Sequence, residues 1–138
     1  MGEIYSEGMS RETDAVDISS MHSNITEIFD AGLECMAEGN ASRAAELFEQ
    51  VLAARPGDVE AAHGLIRALV DSGRVDEALA RTQQLIEREP DDVLAVTRLS
   101  MIYQQKGMIT EAEAAAARAK ILGWKMELRG GPVAKTDL

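Results

Sequence analysis

The sequence predicts an all-α protein built as a solenoid of three stacked helix-turn-helix copies. Glycine, alanine and proline each recur at an interval of 34 residues along the chain. The recurring residues are Gly39, Gly73 and Gly107; Ala44, Ala78 and Ala112; and Pro56 and Pro90. A fixed interval of this length indicates stacked copies of one small unit, each of which touches mainly its neighbours.

The three copies cover residues 25–58, 59–92 and 93–126, and each has the pattern of two amphipathic helices around a glycine turn. Apolar or small residues three and four positions apart place one face of each helix in the predicted core. These faces carry Ile28, Ala31, Gly32 and Cys35, then Ala44, Phe48 and Val51; Leu65, Ile66 and Leu69, then Ala78 and Leu85; and Leu99 and Tyr103, then Ala112, Ala116 and Ala119. No alternating apolar pattern indicates strands.

Residues at the helix ends agree with this division. The three turn glycines can adopt a left-handed backbone after each first helix. Pro56 and Pro90 follow the second helices of copies one and two, where a missing N–H group costs little. Asp58 and Asp92 then stand where the next helix needs an N-cap. The helices are therefore bounded by side chains suited to their ends.

The last helix is predicted to run past the usual end of the copy. Trp124 stands where a proline would end the third copy, so the helix should continue to about Leu128. We expect Trp124, Met126 and Leu128 to cover the open end of the stack, or else to form a dimer contact. The repeat domain thus spans 25–128, between a flexible acidic N-terminal segment (1–24) and a flexible C-terminal tail (129–138).

These patterns resemble the tetratricopeptide repeat over about 100 residues of the chain. The matching residues are Gly32, Ala44, Phe48 and Pro56 in copy one; Leu65, Ala78 and Pro90 in copy two; and Leu99, Tyr103 and Ala112 in copy three. Copy two departs from the family pattern at Ile66 and Thr82, and copy three departs at Trp124. The resemblance implies a right-handed solenoid in which the first helices line a concave groove that binds other proteins.

Carried over position by position, the resemblance also implies which side chains form the groove. They are Phe29, Leu33, Met36, His63, Arg67, Val70, Thr97, Arg98, Met101 and Gln104. One subfamily clamps the C-terminal carboxylate of chaperones, but four of the five clamp positions here hold Phe29, Leu33, Gly64 and Leu94, and only Arg98 matches. We therefore predict an apolar or amphipathic partner segment rather than a chaperone tail.

The groove residues also suggest an acidic group on the partner, because His63, Arg67 and Arg98 make a local cationic spot. Two alternatives stay open. The apolar groove residues could instead pack against the N-terminal segment, and the arginines could pair with Glu60, Asp71 or other nearby carboxylates in weak surface ion pairs. The segment's own Val16, Asp17, Ile18 and Met21 fit the description of a groove ligand, so it is itself a candidate occupant.

Composition narrows the classes of function. The net charge of −10 opposes binding to nucleic acid and to anionic membranes. No apolar run is long enough for membrane insertion, and no signal segment is evident, so we expect a cytoplasmic protein. One cysteine and two histidines supply no metal cluster, and no catalytic motif occurs. The sequence therefore predicts neither an enzyme nor a cofactor.

The predicted function is that of a protein–protein interaction adaptor or scaffold. It would bind a peptide or amphipathic helix of a partner protein in the concave groove. The alternatives are a small secretion-type chaperone that holds unfolded client segments, and an accessory subunit of a larger complex. A homo-oligomer through the C-terminal end or the N-terminal tail is a further partner that the sequence allows.

Overall fold

The structure, a computed structural model, describes residues 24–130 of the chain. Six helices fill this range, and no strand occurs within it. They are α1 (24–37), α2 (Ala41–Ala54), α3 (Val59–Asp71), α4 (Val75–Arg88), α5 (Val93–Gln105) and α6 (Ile109–Arg129). Each helix from α2 to α5 packs against the next one in the chain. The all-helical class and the pairing of helices into three copies are confirmed. Predictions that fall on residues 1–23 and 131–138 lie outside the described residues.

The turn inside each copy is the same hydrogen-bonded motif. Gly39, Gly73 and Gly107 have φ angles of +82°, +84° and +76°, in the left-handed region where a side chain would be strained. The residue after each glycine donates its backbone N–H to a carbonyl five residues earlier, as Asn40 does to Cys35 at 2.8 Å. This is the Schellman arrangement, which satisfies carbonyls at the end of the first helix and reverses the chain.

The connection between copies ends in an aspartate cap, as predicted. The side chains of Asp58 and Asp92 accept hydrogen bonds from the backbone N–H groups of Ala61 and Ala95, each at 3.1 Å. Asn40 caps α2 in the same way through the N–H of Arg43 at 3.2 Å. An N-cap of this kind stabilises a helix by about 1 kcal/mol.

Phe48 fills the interface between copies one and two. Its side chain is fully buried between Gly32 on α1 and Gly64 on α3. A Cβ atom built on either glycine would lie 2.8 Å from an atom of the phenyl ring. The ring therefore has glycine on both sides because no larger residue leaves it room.

At the interface between copies two and three, the order of side-chain sizes is reversed: large residues replace the two glycines, and a smaller residue replaces the phenylalanine. Ile66, Thr82 and Arg98 hold the positions that Gly32, Phe48 and Gly64 hold one copy earlier. Ile66 and Thr82 are fully buried, and the Thr82 hydroxyl donates to the carbonyl of Ala78 at 2.7 Å. Because that hydroxyl has an acceptor, its burial carries little penalty. By the 34-residue register, large residues thus replace the two glycines and a small one replaces the phenylalanine.

The predicted core faces are buried or half-buried, with one exception. Ala116 was expected in the core but is exposed, whereas Ala115 beside it is buried. Ala116 holds the position of Phe48 and Thr82 in the earlier copies. In copy one this side chain is covered by the first helix of the next copy, and the described residues contain no helix after α6 to cover Ala116.

The predicted extension of the last helix is confirmed, and its large side chains are exposed. Helix α6 runs through Trp124 and ends at Arg129. Leu122 packs into the core, whereas Trp124, Met126 and Leu128 are 58%, 52% and 82% exposed. Because Ala116 at the open end is also exposed, these three side chains do not bury that end within the described residues, and the alternative of a dimer contact stays a prediction.

Two glycine-to-alanine changes test the fit around Phe48. Gly64→Ala should destabilise the fold by about 1–3 kcal/mol, because the new Cβ meets a ring that cannot retreat from Gly32. Gly123→Ala, in the interior of α6 with no atom within 4 Å of its Cβ position, should stabilise it by about 0.5–1 kcal/mol. Urea denaturation followed by circular dichroism measures both, and a neutral Gly64→Ala would contradict the packing described.

Candidate partner-binding groove

Helices α3 and α5 bring four of the predicted groove residues together. Val70, Arg98, Met101 and Gln104 line one depression of about 350 Å³. Its remaining lining residues, Ile102 and Gln105, were not among the predicted groove residues. Gln105 follows Met101 by one helical turn, so the helical period could have found it. We refer to this depression as the α3–α5 pocket.

The pocket contains a cation that the described residues leave incompletely paired. The Nε atom of Arg98 is buried and has no hydrogen-bond acceptor among residues 24–130. Burial, with a smaller contribution from the nearby cation of Arg67, lowers the pKa of the Arg98 guanidinium, and Asp71 opposes that shift. Buried polar groups are normally paired, so this N–H group is an unused donor on a residue that lines the pocket.

Arg67 adds a second, more exposed positive charge. Its Nε lies 3.8 Å from the Oδ2 of Asp71, one helical turn away, and both side chains are largely exposed. An exposed pair of this kind contributes little to stability and can exchange partners. The alternative that the arginines only form weak surface ion pairs with nearby carboxylates thus holds for Arg67, but not for the Nε of Arg98.

Three large apolar side chains of the first helices are exposed. Leu33 on α1, and Leu94 and Met101 on α5, are 47%, 50% and 58% exposed. Large apolar side chains on a water-facing surface are typical of contact sites when they lie together. The predicted groove residues therefore include apolar groups available to a partner.

Four predicted residues serve the fold itself. Phe29 and Met36 pack against the core, and the Phe29 ring centroid lies 5.6 Å from that of Phe48. Thr97 donates its hydroxyl to the carbonyl of Val93 at 2.8 Å. His63 is directed at Asp92, with Nε2 and Oδ2 2.7 Å apart and only 16% of each side chain exposed. These four side chains are therefore less available for contact with a partner than those of Leu33 and Met101.

The His63–Asp92 contact ties α3 of copy two to the start of α5, the first helix of copy three. Asp92 caps α5 with Oδ1 and meets His63 of α3 with Oδ2, so one carboxylate holds both helices. Sequence reasoning identified the cap but missed the histidine, which lies 29 residues earlier in the chain. The Nδ1 atom of His63 is buried and without a partner among the described residues.

Residues 24–130 contain no group of three or more histidine, cysteine or carboxylate side chains placed to hold a metal ion. None of the helices described is long and apolar enough to cross a membrane. Cys35, in place of the aromatic residue common in the family, is half-buried and packs against the core.

Comparison with protein families identifies the repeats. Residues 36–99 match the family model of the tetratricopeptide repeat. The chain carries tetratricopeptide repeats. Its six helices correspond to about three of them, as the sequence predicted. Tetratricopeptide repeats are protein-interaction modules, and this general role applies to the chain.

Solved structures share the fold at low sequence identity. PcrH in complex with the chaperone binding region of PopB matches with a TM-score of 0.71 and 15% identity, over 82% of this chain and 91% of that one. The second tetratricopeptide domain of Spaghetti (RPAP3), bound to the HSP90 peptide SRMEEVD, matches with a TM-score of 0.68 and 19% identity, over 78% and 99%. At such identities the likeness establishes the fold alone.

Two further structures are longer than the matched region. A chain of the CopN–Scc3 complex matches with a TM-score of 0.68 and 15% identity, over 72% of the present chain and 59% of that one. MamA RS-1, an ArsTM double mutant, gives 0.70 and 16%, over 75% and 58%. The chain therefore spans less than two thirds of these two. Among curated protein sequences, no significant match was found.

Comparison of two N-cap substitutions measures how much the His63–Asp92 contact contributes to the stability of the fold. Asp58→Ala removes one N-cap and should cost about 1 kcal/mol. Asp92→Ala removes an equivalent cap and also the His63 contact, so it should cost more, by about 1 kcal/mol or above. Thermal or urea unfolding of both variants gives the difference. Equal losses would mean that the His63–Asp92 contact contributes nothing to stability.

Proposed function

We propose that this chain is an adaptor that binds a segment of another protein in the groove containing the α3–α5 pocket. The segment would combine apolar side chains with at least one carboxylate. One observation carries the proposal: an apolar-lined depression that also holds Arg98, whose buried Nε–H has no acceptor among the described residues.

The carboxylate follows from the electrostatics of Arg98. A guanidinium stays protonated at neutral pH even when its pKa is lowered, so the pocket keeps its positive charge. That charge is partly desolvated and lies near a second cation, Arg67. An incoming carboxylate would relieve both effects and could accept charge-assisted hydrogen bonds, which are about twice as strong as neutral ones.

The apolar part follows from the rest of the lining. Val70 of α3 and Met101 of α5 both line the pocket. The unbranched, polarizable side chain of Met101 can adapt its shape to different ligands, and more than half of it is exposed. Leu33 on α1 and Leu94 on α5 are further exposed apolar side chains of the first helices. A segment with apolar residues spaced along one side suits this arrangement.

A chaperone for unfolded clients is the second candidate function. The match to PcrH covers nearly the whole of that chain, and that structure contains the chaperone binding region of PopB. An extended client could use the same exposed apolar side chains without a strict requirement for Arg67 or Arg98. The two candidates therefore differ in whether affinity depends on charge.

The experiment begins with random peptides displayed on phage and selected against the full chain. We expect enriched peptides with apolar residues and at least one Asp, Glu or free C-terminal carboxylate. Their affinity is then measured with two single variants, Arg67→Glu and Met101→Glu. Each should weaken binding by about tenfold or more, while helical content stays unchanged because both side chains are exposed.

A matched control separates the groove from charge in general. Arg43→Glu also reverses an exposed arginine that pairs with a carboxylate one turn away, but on α2. It should leave binding unchanged. Normal binding by both groove variants would reject the groove as the site. Loss with Met101→Glu alone, together with suppressed aggregation of an unfolded reporter protein, would favour the chaperone instead.

A further inference from the structure

Helix α6 carries a second apolar face that the fold does not use. Ala114, Ala117, Ile121, Trp124 and Leu128 recur at spacings of three and four residues, so they form one stripe along the helix. All five are exposed, with Ile121, Trp124 and Leu128 at 49%, 58% and 82%. We call these five residues the outer stripe.

The outer stripe is distinct from the faces that build the stack. The core face of α6 contains Ala112, Ala115 and Leu122, which are buried. The face of α6 toward the open end of the stack can be identified from the equivalent positions on α2, which face the next copy. There the positions of Ala45, Phe48 and Leu52 are taken by Glu113, Ala116 and Lys120. A polar terminal face of this kind ends a repeat array.

The same positions in the earlier copies show that stacking does not require an apolar outer stripe. Ala114, Ala117 and Ile121 correspond to Glu46, Glu49 and Ala53 on α2, and to Ala80, Gln83 and Glu87 on α4. The earlier helices therefore present mainly polar or charged side chains there. Only in the third copy is the whole stripe apolar, which indicates a contact made by α6 alone.

The stripe also has a shape. Its first half is small, with Ala114 and Ala117, and its second half is large, with Ile121, Trp124 and Leu128. A depression of about 410 Å³ lies between α6 and the connection at Pro90 and Asp91, and Ala114, Ala117 and Ile121 of the stripe line it. A helix with small residues at one end and large ones at the other is complementary to its own reverse.

We infer that the outer stripe binds a second copy of this chain, with the two α6 helices antiparallel. In this arrangement the indole of Trp124 lies over Ala114 and Ala117 of the second copy and enters the depression beside them. Ala117 and Ile121 then meet their counterparts near the twofold axis. Such an interface is isologous: each residue pair occurs twice.

Charge favours the antiparallel direction. The first nine residues of α6 contain two acidic residues, Glu111 and Glu113, and no basic one. The last twelve contain four basic residues, Arg118, Lys120, Lys125 and Arg129, against the single acid Glu127. Antiparallel pairing sets the acidic half of each helix beside the basic half of the other. Parallel pairing would join the two basic halves and leave the alanines facing each other across a gap.

Sedimentation equilibrium on the full chain tests the inference. We expect a dimer of twice the 14.9 kDa chain mass at protein concentrations on the order of 100 µM. Ala117→Glu places an unpaired charge at the contact in both copies, so it should raise the dissociation constant by about 100-fold or more. Ala116→Glu is the matched control. It makes the same change one residue earlier, toward the open end, and should leave the dimer intact.

The single tryptophan supplies an independent measure. Its emission should shift to longer wavelength when the wild-type protein is diluted or carries Ala117→Glu. Circular dichroism checks that both variants keep their helices. A wild-type monomer at all concentrations, or a dimer unaffected by Ala117→Glu, overturns the inference. A third result would also overturn it: the wild-type protein is a monomer, and removal of residues 131–138 exposes its tryptophan to water. That result would mean that the chain's own tail covers the stripe.

Discussion

The burial of Phe48 between two glycines determines how the first two copies meet, and the neighbouring interface is arranged around the same constraint. A phenyl ring that touches helix backbone on both sides fixes the approach of α1 and α3. The next interface cannot repeat this arrangement, because Ile66 and Arg98 stand where the glycines would be. Thr82 is accordingly the small member of the second set, and it is fully buried.

This reversal of sizes also affects the candidate binding surface. Arg98 holds the position of Gly64, which packs against the Phe48 ring, and its side chain also lines the α3–α5 pocket. Its Nε is buried, and its guanidinium is partly removed from water. A packing requirement between copies thus places a desolvated cation beside an apolar depression. The stack and the pocket depend on the same residue.

Much of the fold could be predicted because it depends on local rules. The interval between Gly39, Gly73 and Gly107 required three left-handed turns, and Asp58 and Asp92 could be recognised as caps from their positions alone. The length of α6 followed from a tryptophan in place of a proline. Each of these features is decided within a few residues of sequence, so one sequence is enough to find it.

The candidate site was less predictable because it depends on contacts between distant residues. Phe29 has the spacing of a groove residue, yet its ring packs on Phe48. His63 could be read as an exposed cation only until the position of Asp92 was known. Ala116 shares the helical period of the core but lies where no described helix covers it. Period identifies the face of a helix, whereas neighbours decide whether that face is buried.

The alternation of large and small residues has a consequence for how such a gene can change. In an array of identical copies, one copy can be lost or duplicated and the junctions still fit. Here, loss of residues 59–92 would bring Phe48 against Arg98 instead of Gly64. The junction would then join two large residues and force them apart. The order of the three copies is therefore fixed by their interfaces, and their number should change less readily than in arrays of interchangeable units.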